Sequence, residues 1–141
     1  MKISRTVLGS ALLAAATVIT WYAWLGHDTT YQLDPATGVE SGPYTAIQVI
    51  GCVVTLVALL VAAVLAGVNR WAAPAVLTVA FTVPWTFRAM QMDDSGMFAI
   101  GAGMLVIGLG SGAVVVAAIT DYFRNRGSRR SGGTVPVAPT P

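Results

Sequence analysis

Four long apolar runs, separated by short polar segments, constrain this chain more than any other feature of its sequence. The runs cover about residues 6–25, 44–68, 71–90 and 96–120, and Arg88 is the only charged residue inside them. A membrane-spanning helix needs about 20 predominantly apolar residues, and in lipid a helix satisfies its own backbone hydrogen bonds. The sequence therefore predicts an all-α membrane protein, a four-transmembrane-helix antiparallel bundle with short connections.

The composition leaves little room for anything else. Only 10% of the 141 residues are charged, whereas a soluble domain carries about 25%. We assign residues 1–123 to one transmembrane domain and residues 124–141 to a tail. The tail is basic at first and then rich in Pro and Gly, which predicts a disordered segment.

The first run has an alternative interpretation as a secretory signal peptide, because Ala14, Ala15 and Ala16 are small residues of the type found at cleavage sites. The apolar character continues beyond them to Trp21 and Trp24. Aromatic residues are enriched where a span meets water. We therefore favour an uncleaved first helix.

The placement of charge predicts the orientation, because cytoplasmic segments of membrane proteins retain an excess of Lys and Arg. Seven of the eight basic residues fall on one side of the predicted membrane: Lys2, Arg5, Arg70, Arg124, Arg126, Arg129 and Arg130. Five of the six acidic residues fall on the other: Asp28, Asp34, Glu40, Asp93 and Asp94. Both termini are therefore predicted in the cytoplasm, with the protein in the plasma membrane.

The last run is rich in glycine, and its glycines fall on two faces of a helix that turns by 100° per residue. Gly101, Gly108 and Gly112 share one face, and Gly103 and Gly110 lie on nearly the opposite one. Small residues let helix backbones approach closely in lipid, above all at the G-x-x-x-G spacing. The two faces contact either two neighbours within the bundle or, on one side, a partner protein.

Polar side chains recur at helical spacing in the outer halves of the first three runs. They are Thr17, Thr20, Thr45, Gln48, Cys52, Thr55, Thr78, Thr82 and Thr86. If these faces converge, they line a polar pocket open to the outside, with Gln48 as its strongest hydrogen-bonding group. The favoured alternative is structural, because a Thr hydroxyl in a helix commonly bonds a carbonyl of its own preceding turn.

Arg88 is the exception to the charge pattern, because it lies at the outer end of the third run. It has three interpretations: a side chain that extends to lipid phosphate, an ion pair with Asp93 or Asp94, or part of an outer anion or partner site. The last of these, a possible outer polar site, comprises Arg88, Gln48, Asp93 and Asp94. We favour the first two. Pro84, which lacks an N–H, is expected to kink the same helix.

The basic tail and the remaining polar residues exclude several functional classes. Arg124, Arg126, Arg129 and Arg130 are expected to contact anionic lipid at the cytoplasmic face, and they do not form the folded basic surface of a nucleic-acid-binding domain. One histidine and scattered carboxylates match no metal-ligand spacing. Since no nucleophile, acid and base can be assembled, we predict neither an enzyme nor a cofactor.

Several known four-helix families are excluded by single residues. The first run has no glutamate of the kind that small multidrug transporters use. Cys52 is a lone cysteine, so it can supply neither the C-x-x-C motif of vitamin K epoxide reductase-like and disulfide-forming proteins nor the cysteine pair of claudins. The segment from Asp93 to Ala102, DDSGMFAIGA, resembles the start of the last helix in small uncharacterised four-helix membrane proteins of actinobacteria. The resemblance covers the second half of the chain and implies a fold but no activity.

Together these features predict a non-enzymatic accessory or interaction subunit of a membrane complex. It would contact itself or another membrane protein through the glycine-rich fourth helix. The alternative is a small oligomeric transporter or channel with a polar outer vestibule. The absence of acidic residues inside the runs weighs against a proton-coupled pump.

Overall fold

A computed structural model describes residues 2–27, 32–33, 35–38, 40–41 and 44–131. Four long helices account for most of these residues. They are α1 (Lys2–Trp21), α2 (Ala46–Leu65), α3 (Ala72–Met92) and α4 (Phe98–Ser131). The centres of all four agree with the apolar runs of the sequence.

The loop after α1 contains regular structure that the sequence did not predict beyond tight turns. A five-residue π-helical turn, Tyr22–Gly26, follows α1 directly. Two short strands, β1 (Gln32–Leu33) and β2 (Glu40–Ser41), then pair in antiparallel register. Gly38 lies between them with φ of 65°, a left-handed conformation that glycine adopts without steric cost. The predicted Asp28 and Asp34 lie outside the described residues.

The ends of α2 are set by local hydrogen bonds. At its start, the Thr45 hydroxyl accepts from the Gln48 N–H at 3.3 Å, and the Gln48 side chain accepts from the Thr45 N–H at 2.8 Å. This reciprocal pair is a capping box. At its end, Gly67 has φ of 98°, and the Val68 N–H donates to the Ala63 carbonyl at 3.0 Å. That is the Schellman arrangement, which needs a left-handed residue.

The helices pack around one apolar core. Each of α1 and α4 packs against both α2 and α3. The core includes the following buried side chains: Leu13, Thr17, Leu56, Leu60, Val64, Leu77, Phe81, Ala113 and Ala117. The very short connection at Asn69 and Arg70 predicts that α2 and α3 are antiparallel neighbours. They do contact each other, but less extensively than each contacts α1 and α4. Residues 66–71 are long enough to let α3 start on the far side of the core.

Contacts between helices define two ends of the fold. At one end of the fold Gly9 approaches Val68, and Arg70 pairs with Asp121. We call this the terminal end. At the opposite, loop end, Gly51 approaches Trp24. The crevice between Tyr44, Arg88 and Phe98 lies at the same loop end.

Three helical segments in the described part of the chain are long and apolar enough to cross a membrane. They are Arg5–Gly26, Ala46–Leu65 and Phe98–Arg129. The remaining helix, α3, has 21 residues, which is sufficient length. Its prolines, its threonines, Arg88 and Gln91 lower its hydropathy below that of these three segments.

The last helix extends further than the sequence predicted. It continues through the basic segment to Ser131 instead of ending near Thr120, so the basic residues 124–131 are helical. Two interactions explain the extension: Asn125 donates to Asp121 one turn back at 3.3 Å, and arginines in a last turn interact favourably with the helix dipole. The Pro/Gly-rich segment after Ser131 lies outside the described residues.

Candidate functional site

Two of the five glycines predicted at the helix interface lie against α3. A Cβ built on Gly101 would be 2.7 Å from the Trp85 ring, and one built on Gly110 would be 3.7 Å from the Thr78 side chain. Gly101 therefore has to be small, whereas Gly110 makes ordinary van der Waals contact.

The other three predicted glycines face no neighbouring helix. A Cβ built on Gly103, Gly108 or Gly112 meets no atom within 4 Å among the described residues. Gly108 and Gly112 lie along a cavity of about 340 Å³ between α2 and α4, which we call the α2/α4 groove. It is lined by Val53, Leu56, Val57, Leu60, Leu77, Gly108, Leu109, Gly112, Ala113 and Val116. The G-x-x-x-G pair of this chain is therefore unoccupied by its own helices.

Two glycines that closely approach other segments of the fold were not predicted from the sequence. A Cβ on Gly51 would be 2.5 Å from the Trp24 indole, and a Cβ on Gly9 would be 2.6 Å from the Val68 side chain. Each is an isolated glycine in its helix, without a glycine four positions away to form the usual motif. The only available signal was the opposing large side chain, whose position depends on how the helices pack.

The predicted polar pocket does not form from the threonines of α1 and α2. The hydroxyls of Thr17, Thr20 and Thr55 donate to carbonyl oxygens four residues back, at 2.7, 2.8 and 2.7 Å. This is the structural alternative that the sequence analysis favoured. In the described part of the chain the hydroxyls of Thr78 and Thr82 are buried without a hydrogen-bond partner.

The four residues of the predicted outer polar site do not converge. The Gln48 side chain belongs to the capping box of α2. Arg88 and Asp93 line one crevice of about 200 Å³ with Tyr44, Trp85 and Phe98, while neither Gln48 nor Asp94 contributes to its lining. Among the described residues Arg88 forms no salt bridge, so the predicted pair with Asp93 or Asp94 is not made.

Asp93 instead organises the start of α4. Its carboxylate accepts from the Ser95 N–H at 2.8 Å and from the Phe98 N–H at 2.9 Å. These hydrogen bonds stabilise the turn that connects α3 to α4. Hydrogen bonds from the Ser95 hydroxyl and then from its backbone N–H hold the pKa of Asp93 below its ordinary value, because they stabilise the charged form.

The strongest polar cluster lies at the terminal end, around Asp121. The buried Asp121 carboxylate accepts from Arg124 at 2.6 Å and from Arg70 at 3.4 Å. Arg124 also donates to the Val64 carbonyl at 2.6 Å, and Val64 is in the last turn of α2. This Asp121 cluster ties α4 to the end of α2 and to the connection that follows it. The sequence places Asp121 on the basic side of the predicted membrane but indicates no partner for it.

The basic residues predicted to contact lipid divide into two groups. Arg124 faces inward and its guanidinium is occupied by the Asp121 cluster. Arg126 stacks over the Tyr122 ring at 4.9 Å, and both Arg126 and Arg129 are exposed. The side chain of Arg130 lies outside the described residues. Within the described set, Arg126 and Arg129 are therefore the residues available to an anionic surface.

Comparisons of the chain with protein families, with curated proteins and with solved structures found no match.

Proposed function

We propose that this chain is a non-enzymatic, four-span plasma-membrane protein that acts as an accessory subunit of a membrane complex. A transmembrane helix of another protein docks in the α2/α4 groove, against Gly108 and Gly112. The observation that carries the proposal is that this glycine pair faces an open apolar groove instead of a helix of its own chain. The resemblance to actinobacterial membrane proteins remains an expectation.

The four-span topology is supported by the contacts between helix ends. If α1, α2 and α4 cross the membrane, α3 must span the same distance, because its start lies near the terminal end and Arg88 near the loop end. At 1.5 Å per residue its 21 residues reach about 30 Å, the thickness of the hydrocarbon core. The basic terminal end then lies in the cytoplasm under the positive-inside rule. Exposed Arg126 and Arg129 are positioned there to contact anionic lipid.

The chemistry of the groove favours an apolar helix as its occupant. Its lining residues are Val, Leu, Ala and Gly, with no polar side chain. In lipid, helices associate mainly through close packing, which glycines at this spacing permit. The groove is bounded by α2 on one side and α4 on the other, so a docked helix would bury surface on both.

The transporter alternative has weaker support. A polar path would need hydroxyl or amide groups that face a common cavity, whereas Thr17, Thr20 and Thr55 bond to their own helices. The cavities among the described residues are lined mainly by apolar side chains. We therefore place the accessory function first.

The test is site-specific photo-crosslinking in the native cell. A photoreactive residue at Val115, two turns after Gly108 on the same side of α4, should crosslink to one other membrane protein, identified by mass spectrometry. Gly108→Ile with Gly112→Ile should reduce that product by about tenfold, because the added side chains block close approach.

Gly103→Ile is the matched control, because Gly103 is equally open but lies on another side of α4. It should leave the crosslinked product unchanged. A product formed only between two copies of this chain would contradict the accessory function. An equal loss of crosslinked product in Gly103→Ile and in the double variant of Gly108 and Gly112 would also contradict it.

A further inference from the structure

A second groove runs between α1 and α3, on the other side of the fold from the α2/α4 groove. Its larger part is an open cavity of about 560 Å³ lined entirely by apolar side chains, among them Ala14, Val18, Val83 and Pro84. Val18, Val83 and Pro84 also line a crevice of about 450 Å³ nearer the loop end. The two cavities adjoin at these shared residues, and we call them together the α1/α3 groove.

The polar groups of this groove are gathered at its loop end. Trp21, Arg88 and Gln91 line the crevice there together with Phe87. Their side chains offer an indole N–H, a guanidinium and an amide, all of which donate hydrogen bonds. The groove thus changes from wholly apolar to donor-rich along its length.

Two of these donors lack partners within the described residues. Arg88 forms neither a hydrogen bond nor a salt bridge there. Asp93 lines a crevice with it, but the Asp93 carboxylate is engaged by Ser95 and Phe98. Trp21 is only 8% exposed, and its indole Nε1 is buried without an acceptor. An unpaired guanidinium and a buried unpaired donor are each costly unless an acceptor is supplied from outside.

We propose that the α1/α3 groove binds one lipid with an anionic phosphate headgroup. The phosphate oxygens accept from the Arg88 guanidinium, for which planar paired donors are well suited, and from the Gln91 amide. One hydrocarbon chain lies along Val18, Val83 and Pro84 toward Ala14. The proposal is independent of the accessory function, since it concerns the opposite pair of helices.

A defined lipid site differs from an arginine that merely reaches the membrane surface. Simple electrostatic attraction needs a positive charge but no groove, and it is retained by lysine. A site that binds the hydrocarbon chain and the phosphate of one lipid together requires both the groove and the bidentate geometry of arginine. These requirements determine the variants for the test.

The experiment measures lipid binding to the delipidated, full-length protein in detergent by native mass spectrometry. The probes are phosphatidylglycerol, diacylglycerol with the same chains, and glycerol phosphate without chains. We expect one tightly bound phosphatidylglycerol, with diacylglycerol and glycerol phosphate each at least about tenfold weaker. Equal binding of glycerol phosphate would contradict the lipid site and indicate a free-phosphate site.

Three variants separate the site from bulk electrostatics. Arg88→Gln should weaken phosphatidylglycerol binding by about tenfold, and Arg88→Lys should restore only part of it. Arg5→Gln, which removes the same charge at the terminal end, should leave binding within about twofold. Equal effects of Arg88→Gln and Arg5→Gln, or full retention by Arg88→Lys, would overturn the proposal.

Filling the apolar part of the groove tests the binding of the lipid's hydrocarbon chain separately from the binding of its phosphate. Val83→Trp keeps Arg88 and should also reduce binding of phosphatidylglycerol, while its melting temperature reports whether the fold is retained. Unchanged binding of phosphatidylglycerol to a folded Val83→Trp protein would contradict the placement of the hydrocarbon chain in the groove. If this variant does not fold, Ala80→Leu fills the same groove with a smaller side chain.

Discussion

Replacing Gly51 by alanine is expected to destabilise the purified protein by about 1–3 kcal/mol, the usual cost of overpacking. The new Cβ would lie 2.5–2.9 Å from three atoms of the Trp24 ring, so the indole or the backbone of α2 would have to shift. Thermal unfolding in a fixed mild detergent measures the effect as a lower melting temperature.

Gly103→Ala is the matched control for this prediction. Gly103 also lies within a helix, but a Cβ added there would have no described atom within 4 Å. Alanine is a better helix former than glycine by up to about 1 kcal/mol, so this variant should be neutral or more stable. Equal destabilisation by both substitutions would contradict the close contact between Gly51 and the Trp24 ring.

Removing the carboxylate of Asp121 is expected to cost about 2 kcal/mol. Breaking a fully buried ion pair costs about 3–5 kcal/mol, but the side chains of Arg70 and Arg124 are 53% and 37% exposed and remain partly solvated. The variant Asp121→Ala leaves both guanidinium groups without their acceptor. The melting temperature in detergent again measures the loss.

Asp94→Ala is the control, because Asp94 is an exposed acid at the opposite end of the fold, and its removal should change stability by less than about 0.5 kcal/mol. A double-mutant cycle with Arg124→Gln isolates the pair. A coupling energy near zero between Asp121 and Arg124 would contradict the role assigned to the cluster.

The centres of the helices were predictable, because a run of apolar residues is a local property of the chain. Residues 44–68 and 71–90 enclose or closely match α2, Ala46–Leu65, and α3, Ala72–Met92. The turn at Asp93 was also predictable, since an acid followed by Ser and Gly before an apolar run is a capping pattern. The end of α4 was not, because charge alone does not terminate a helix.

The polar contacts between helices could be predicted only in part. The threonines allowed two interpretations, and the hydrogen bond from Thr17 to Leu13 belongs to the local one. The pairing of Arg70 with Asp121 joins residues 51 positions apart, and no periodicity in the sequence specifies such a contact. For the same reason the glycine pattern identified α4 as a packing helix without indicating which glycines face outward.

The central claim is that all four helices cross the membrane, with both termini in the cytoplasm. Single cysteines at Leu33, Ala66, Asp94 and Ser128 test it by reaction with a membrane-impermeant maleimide on intact cells. The native Cys52 is buried, so the wild-type protein serves as the unlabelled background. All four introduced positions lie outside the membrane core in the proposed topology.

We predict that the cysteines at Leu33 and Asp94 react on intact cells, and that those at Ala66 and Ser128 react only after permeabilisation. The comparison of Ala66 with Asp94 is decisive, because α3 alone separates them. Labelling of both from the same side would contradict the four-span topology and leave three membrane spans.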